Sequence, residues 1–170
     1  GSLWYNTASD KFYMYDGEEW QTVTFDPPPS WFGDRGVFAA GGNFQDRIEY
    51  ITISSPGNST DFGDLIENRS RPNQGLSNGS RGVTGGGLSV SNVIQYVTIA
   101  TPGNATDFGD LTIGRENTSS GISNLTRAVF AGGSPSTNVI DYIIVATTGN
   151  ATDFGDLTSA KYDVAGASGT

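Results

Sequence analysis

Cysteine and histidine are absent from this chain of 170 residues, and charged side chains make up only 16% of it. Without either residue the chain cannot form a Ser-His-Asp triad, a cysteine nucleophile, a disulfide or a His- or Cys-ligated zinc site. No apolar run approaches the roughly 18–20 residues that cross a bilayer, so we expect no membrane insertion. These absences argue against an enzyme and against a disulfide scaffold.

Basic residues are also scarce, with 9 Lys+Arg against 18 Asp+Glu and a formal net charge of −9. Binding to nucleic acid draws on a basic face that releases counterions, so we predict no nucleic-acid partner. The glycine-rich sequence RGVTGGG at residue 81 lacks the Gly-Lys-Ser/Thr ending of a phosphate loop. We therefore predict no cofactor, and we assign no catalytic, cofactor-binding or metal-binding residue.

What the chain does have is a repeat with a period of 46 residues. The sequence GNSTDFGDL begins at Gly57, and GNATDFGDL begins at Gly103 and again at Gly149. Two other markers keep the same period: RGVFAAGG, RGVTGGG and RAVFAGG from residues 35, 81 and 127, and IEYITI, IQYVTI and IDYIIV from residues 48, 94 and 140. Three markers with one period predict three copies of one structural unit.

Each unit divides into four short strands, separated by Gly, Asn, Pro and Ser. They are a Gly-x-Ser stretch (74–77 and 120–123), the Arg-Gly-Val strand, the Ile-x-Tyr strand and Thr-Asp-Phe-Gly-Asp-Leu. The first unit starts at Arg35 without its innermost strand. No stretch keeps an apolar period of 3.6 over three turns, so we predict no long helix.

The Ile-x-Tyr strand is mostly apolar on both faces, whereas a half-exposed antiparallel strand alternates. Such a strand belongs to a sheet that lies between two others, as in a radial stack of small sheets. We predict successive four-stranded antiparallel sheets in which two aromatic columns superpose: Tyr50, Tyr96 and Tyr142, and Phe62, Phe108 and Phe154.

Taken together, these columns resemble the kelch repeat of β-propellers. The matching features are a small-residue doublet, an acidic-x-Tyr strand, an aromatic strand and a following basic residue. The doublets are Ala40-Gly41, Gly86-Gly87 and Gly132-Gly133, and the basic residues are Arg69, Arg115 and Lys161. Kelch blades usually carry Trp where the phenylalanine column stands here. The resemblance implies an all-β fold of kelch-like propeller blades over residues 35–170.

The N-terminal segment, residues 1–26, is a small aromatic-rich module. We predict a three-stranded β-meander with turns at 7–10 and 16–19, followed by a stiff Pro-rich linker over 27–34. The LWYNT…YDG…W pattern resembles a module of bacteriophage tail fibres, and the tandem repeats look like those of tail-fibre and other virion proteins of marine phages (the cyanophage type). Fibre proteins of this kind are commonly trimeric.

The resemblance implies a non-enzymatic virion protein, a tail fibre or appendage with a role in host attachment. Its partners would be other copies of itself, other virion proteins and a host cell-surface glycan or protein. An extracellular lectin-like adhesin built from propeller blades is the alternative.

The number of blades leaves three interpretations open, because three is fewer than the four to eight of ordinary propellers. In the first, the chain belongs to a longer fibre protein, and in the second it closes a ring with other chains. In the third interpretation, the C-terminal strand near Val164 supplies the strand that the first unit lacks.

Several residue groups admit both a functional and a structural interpretation. The pairs Asp61/Asp64, Asp107/Asp110 and Asp153/Asp156 suit calcium or turn capping, and we favour capping. The aromatic residues Trp4, Tyr5, Phe12, Tyr13, Tyr15 and Trp20 suit sugar stacking or packing against sister chains, and we favour packing. Asn-x-Ser/Thr sequons occur at Asn58, Asn68, Asn78, Asn104, Asn117, Asn124 and Asn150, and composition alone accounts for them.

Sequence variation between the units is concentrated in two sets of loops. One set is 43–47, 88–93 and 134–139, and the other lies between 65 and 81 and between 111 and 127. Loops tolerate variation and carry binding sites, so we expect any receptor contact to use one of these sets. Drift without function explains the variation equally well.

Overall fold

The computed structural model describes residues 2–8, 11–23, 33–39, 45–69, 75–87, 89–116 and 120–169. The chain divides into two compact units, residues 1–31 and residues 32–170. Of the predicted linker over 27–34, only Gly33 and Asp34 are among the described residues. The described part of the chain is all-β and forms four small antiparallel sheets.

The N-terminal unit is the predicted three-stranded meander, here called the meander sheet. Its strands are β1 (Leu3–Asn6), β2 (Lys11–Tyr15) and β3 (Trp20–Val23), in that order. Asp16 closes the second turn because its carboxylate accepts the backbone N–H groups of Glu18 and Glu19, each at 2.9 Å. These bonds lower the pKa of Asp16, so the turn loses stability as the pH falls through that lowered value.

The second unit contains three repeat sheets. The first has the order β4 (Arg35–Ala39), β5 (Gln45–Thr52) and β6 (Thr60–Arg69). The second contains β7 (Leu76–Ser77), β8 (Arg81–Gly85), β9 (Val93–Thr98) and β10 (Thr106–Asp110), and the third contains β11 (Ser120–Ser123), β12 (Arg127–Ala131), β13 (Thr137–Ile144) and β14 (Thr152–Lys161). The first sheet has three strands among the described residues, and residues 29–31, where a fourth would stand one period before 75–77, lie outside the described part of the chain.

Strand register repeats with the sequence period. Each Ile-x-Tyr tyrosine lies opposite the valine of the Arg-Gly-Val position: Tyr50 opposite Val37, Tyr96 opposite Val83, and Tyr142 opposite Val129. The last strand of each sheet has a β-bulge at the phenylalanine of Asp-Phe-Gly, followed by a glycine with φ between +136° and +145°. The bulge re-aims the phenylalanine towards the tyrosine of its own sheet, so both predicted aromatic columns are confirmed.

The core lies between the repeat sheets rather than within any one of them. One cluster joins the first and second sheets, and it consists of Ile48, Phe62, Leu65 and Val97. The other joins the second and third sheets, and it consists of Leu76, Val83, Ile94, Phe108, Leu111, Ala128, Phe130, Ile143 and Val145. The second sheet is therefore covered on both faces, as its two-sided apolar pattern predicted. The sheets of the described residues do not close into a ring.

The C-terminal segment packs on the third sheet. Ser168 donates its hydroxyl hydrogen to the Ser123 carbonyl at 2.9 Å, and Val164 approaches Gly132. The interpretation that this segment completes the first sheet of its own chain is therefore wrong, because the segment lies beside β11, and β4 pairs only with β5 among the described strands. The part of the chain that the structure describes contains no helix long and apolar enough to cross a membrane.

Candidate functional site

The candidate site is the contact between successive repeat sheets, which recurs along the chain. Arg81 lies over the Tyr96 ring of its own sheet, with 4.5 Å from its guanidinium carbon to the ring centroid, and it donates to the Val145 carbonyl of the third sheet at 2.9 Å. Arg35 lies over its own tyrosine in the same way and donates to the Ile99 carbonyl of the second sheet. Each arginine therefore ties its own aromatic column to the next sheet.

The Gly-Asn segments that precede β10 and β14 each cover the edge of the sheet before them. The Asn104 side-chain oxygen accepts the Asp64 N–H at 3.1 Å, and the Asn150 oxygen accepts the Asp110 N–H at 3.1 Å. The N–H groups of the next residues, at 105 and 151, donate to the carbonyls of the same two aspartates. An edge strand exposes unpaired backbone groups, and this contact satisfies them with the following repeat.

Glycine at the bulge allows this close approach. A Cβ atom on Gly63 would lie 2.6 Å from the Gly103 backbone, and one on Gly109 would overlap the Gly149 backbone. A Cβ on Gly155, at the same place in the third sheet, would meet nothing within 4 Å. The glycine is therefore required by the neighbouring sheet as well as by its own backbone angles.

We expect Gly109→Ala to destabilise the protein more than Gly155→Ala. Both glycines have a positive φ, +138° and +136°, so the backbone strain is matched, and the difference measures the clash with the next sheet. Overpacking of this kind costs about 1–3 kcal/mol. Urea unfolding of the two variants at low protein concentration measures the difference, and equal losses of stability would contradict the described contact.

A buried polar column crosses each sheet-to-sheet contact. Gln95 accepts the Ile66 N–H through its side-chain oxygen at 2.7 Å, and Asp141, at the same position of the third sheet, accepts the Thr112 hydroxyl. Both side chains are fully buried. Buried polar groups are costly unless they are paired, so these bonds fix how one sheet sits on the next.

Arg115 is the largest fully buried side chain among the described residues. It follows the last strand of the second sheet, but its guanidinium group enters the third, where it pairs with Asp141 and donates to the Gly132 and Val139 carbonyls. Burial lowers the pKa of Arg115, and the neighbouring carboxylate opposes that shift. Gly133 leaves the space for its side chain, because a Cβ there would lie 2.8 Å from the Arg115 Cδ.

The predicted aspartate pairs and sequons have structural contacts at several positions. Asp153 accepts the Gly155 N–H at 3.2 Å, which is a turn-capping contact. Asn78 and Asn124 each accept two N–H groups of the turns that they begin. Within the described ranges no three Asp or Glu side chains cluster in a way that could hold a metal ion. The side chains of Asn68 and Asn117 lie outside the described residues.

Both faces of the meander sheet carry exposed apolar side chains. Trp4, Tyr13, Tyr15 and Trp20 share one face, where Trp4 lies 5.5 Å from Tyr13 between ring centroids. The other face carries Leu3, Tyr5, Phe12, Met14 and Val23. Sugar stacking needs one such face, whereas a sheet that is apolar on both sides suits a covered position.

The variable loops are partly tied into the sheet contacts. Ser91 donates its hydroxyl hydrogen to Glu67, and its backbone carbonyl accepts the Arg115 N–H. Ser134 exchanges two backbone hydrogen bonds with Glu116. Residues 43–44, 70–74, 88 and 117–119 of these loops lie outside the described part of the chain. The described loop residues therefore contribute to stacking, and the expected receptor contact stays a prediction.

Sequence reasoning missed the polar column and the buried arginine as contact residues. One signal was available: the position of Gln95 and Asp141 is always polar in a strand that is otherwise apolar on both faces. A comparison of the chain with known protein families finds no matching family model, and a comparison with curated proteins finds no match.

Proposed function

We propose that this chain is a non-enzymatic structural protein of a bacteriophage virion, a tail fibre or another appendage with a role in host attachment, and that its repeat sheets are kelch-like propeller blades. The observation that carries the proposal is the meander sheet, which exposes apolar side chains on both faces. A three-stranded sheet buries little by itself, so it gains stability from a partner surface. Sister chains or neighbouring virion proteins would supply that surface.

The repeat unit supports a structural role for a second reason. Among the described residues, the buried polar side chains Gln95, Arg115 and Asp141 all contact a neighbouring sheet. Such groups align sheets with one another and present no reactive atom to a cleft. The extracellular lectin-like adhesin is the second candidate, favoured by the exposed aromatic face around Trp4 and Trp20.

We expect the protein to associate through the meander sheet, with trimers as the state that the fibre resemblance implies. The double variant Trp4→Ser/Trp20→Ser should weaken this association, because it removes two exposed indole rings from one face. Sedimentation of the wild type and the variant measures the change, with Glu18→Ser as a control at an exposed polar position. A wild-type monomer whose meander is ordered would refute the proposal.

Two further measurements separate the virion protein from the adhesin. Antibodies against the chain should label the surface of phage particles if it is a virion protein, and absence of labelling on intact particles would count against that assignment. A glycan array should show saturable binding if the exposed aromatic face holds sugars. Binding that is lost in Trp4→Ser/Trp20→Ser would favour the adhesin.

A further inference from the structure

Within the described part of the chain, the stack of three repeat sheets has one face at each end that no other repeat sheet covers. The leading face belongs to the first sheet and carries Phe38, Glu49, the Ile53 carbonyl and Asn58. The trailing face belongs to the third sheet and carries Arg127, Phe154, Asp156, Thr158 and Lys161. In the other repeat sheets, the residues at the same repeat positions take part in sheet-to-sheet contacts.

We propose that the trailing face of one copy binds the leading face of a second copy, through the same contacts that join successive sheets within the chain. This is a heterologous, head-to-tail interface between two surfaces of different composition. It does not rest on the proposed virion function, since an adhesin built from these sheets would have the same two faces.

Hydrogen-bonding groups on the two faces are complementary at positions set by the repeat. Asp64 and Asp110 donate their N–H groups to an asparagine of the next sheet, and the next pair in this series is Asp156 with Asn58 of a second copy. Arg35 and Arg81 donate to carbonyls of the next sheet, and the next carbonyl is that of Ile53. Arg127 lies over its own tyrosine in the same way, at 4.7 Å.

Arg127 bonds no carbonyl of another sheet within the described part of the chain, and its side chain is exposed where Arg81 is half-buried. A second copy would place the Ile53 carbonyl in front of it. The arginine is therefore already oriented by its cation–π contact, and only its acceptor is supplied by the partner.

Charge is complementary as well. The contact between the second and third sheets pairs Arg115 with Asp141. Lys161 occupies the repeat position of Arg115, and Glu49 occupies that of Asp141. The head-to-tail contact would therefore pair Lys161 of one copy with Glu49 of the next. The Lys161 backbone already occupies the equivalent place, because its carbonyl accepts the Gly133 N–H as the Arg115 carbonyl accepts the Gly87 N–H. A basic group thus stands at one end and its acidic partner at the other.

Apolar side chains on the two faces are exposed where their repeat counterparts are buried. Phe38 is 58% exposed, whereas Phe130, at the same position of the third sheet, packs against the second sheet and is only 1% exposed. Phe154 is 54% exposed and Phe108 is 2% exposed. Stacking the trailing face on a leading face would bury both rings.

The C-terminal residues 166–168 would supply an innermost strand to the first sheet of a second copy, since the described residues of that sheet include none. Ser123 donates to the Ser77 carbonyl at 3.0 Å, and Ser168 donates to the Ser123 carbonyl at 2.9 Å. Gly-Ala-Ser therefore lies beside β11 as β11 lies beside β7, in the place of the first strand of a following sheet. In the assembly it would pair with β4 of the second copy and complete a four-stranded sheet by β-strand addition.

The place for that strand is open in the described part of the molecule. A cavity of about 450 Å³ lies between β4 and the second sheet, and its lining includes Val37, Phe38, Leu76 and Ser77. Residues 29–31 of the same chain stand one 46-residue period before 75–77, so they are the alternative strand for this place. Their sequence, Pro-Ser-Trp, does not match the Gly-Leu-Ser of 75–77 or the Gly-Ile-Ser of 121–123. Two copies joined at both ends would unite six sheets, within the four to eight of propellers.

Disulfide cross-linking between two single-cysteine variants tests the composite sheet, since the wild type contains no cysteine. Leu76 lies opposite Val83 and Ile122 opposite Val129, so Ala167 should lie opposite Val37 of the second copy. Mixing Ala167→Cys with Val37→Cys under mild oxidation should give the mixed disulfide at least about tenfold faster than mixing Ala167→Cys with Ser55→Cys. Equal rates would overturn the proposal. Equal rates are also the result expected if residues 29–31 of the same chain filled the site.

Charge exchange provides a second test that does not depend on the cysteine variants. Glu49→Lys alone and Lys161→Glu alone should each weaken the concentration-dependent association seen in sedimentation, and the double variant should restore it. Asp107→Lys, at an exposed position of the middle sheet, is the control and should leave association unchanged. The Trp4→Ser/Trp20→Ser background separates this contact from association through the meander sheet. Association that the single reversals leave unchanged in that background would contradict the head-to-tail contact.

Discussion

The variant Phe108→Ala should lose roughly 3–5 kcal/mol of unfolding free energy, the usual cost of removing an aromatic side chain from a packed core. Phe108 is buried between the second and third sheets and packs edge-on against Tyr96, with 5.8 Å between ring centroids. The neighbouring sheets are held apart by their own backbone contacts, so they cannot collapse fully into the space that the ring leaves. Urea or thermal unfolding measures the loss.

Phe154→Ala is the matched control for this prediction. Phe154 makes the same edge-on contact with its own tyrosine, at 5.9 Å, but no described sheet covers its other side. At concentrations too low for association, we expect its loss of stability to stay below about 1 kcal/mol. If Phe108→Ala melted like the wild type, the phenylalanine column would not be core, and the stacked arrangement of the sheets would be wrong.

Asp141→Ala is the second substitution with a large expected effect. It leaves the Arg115 guanidinium buried without its carboxylate and removes the acceptor of the Thr112 hydroxyl. Removing one partner of a buried ion pair costs about 3–5 kcal/mol, because the remaining charge stays away from water. Chemical denaturation gives the value, and Glu49→Ala, at the same repeat position but half-buried, should change stability by less than about 1 kcal/mol at low concentration.

The double variant Arg115→Met/Asp141→Leu distinguishes the cost of an unpaired charge from the worth of the pair. Replacing a buried ion pair by apolar side chains of similar volume is often neutral or stabilising. We therefore expect the double variant to recover most of the stability that Asp141→Ala loses. A double variant as unstable as the single one would show that the two residues act separately, against the described pairing.

The internal layout of each repeat sheet was largely predictable from the sequence, because strand register depends on local patterns. The 46-residue period aligned the tyrosine and phenylalanine columns, and the two-sided apolar Ile-x-Tyr strand indicated stacking. The structure bears out both. It also locates the short Leu76–Ser77 and Ser120–Ser123 strands where the Gly-x-Ser stretches predicted them.

What the sequence did not reveal is how one sheet sits on the next. Asn104 and Asn150 looked like sequons produced by composition, yet each accepts an N–H group from the sheet before it. The sequence identified Arg115 only as the basic residue that follows the last strand, yet its side chain crosses into the third sheet. These roles depend on the distance and rotation between sheets, which no pattern within one repeat encodes.

Amide hydrogen exchange at one repeat position tests whether a single kind of contact joins successive sheets and also the ends of two copies. The amides of Asp64 and Asp110 donate to the following sheet and should exchange slowly at every protein concentration. The amide of Asp156 should exchange fast in dilute solution and become protected as the concentration rises. Equal protection of all three amides in a dilute monomer, or an Asp156 amide that stays unprotected in the associated protein, would contradict a contact shared by successive sheets and by two copies.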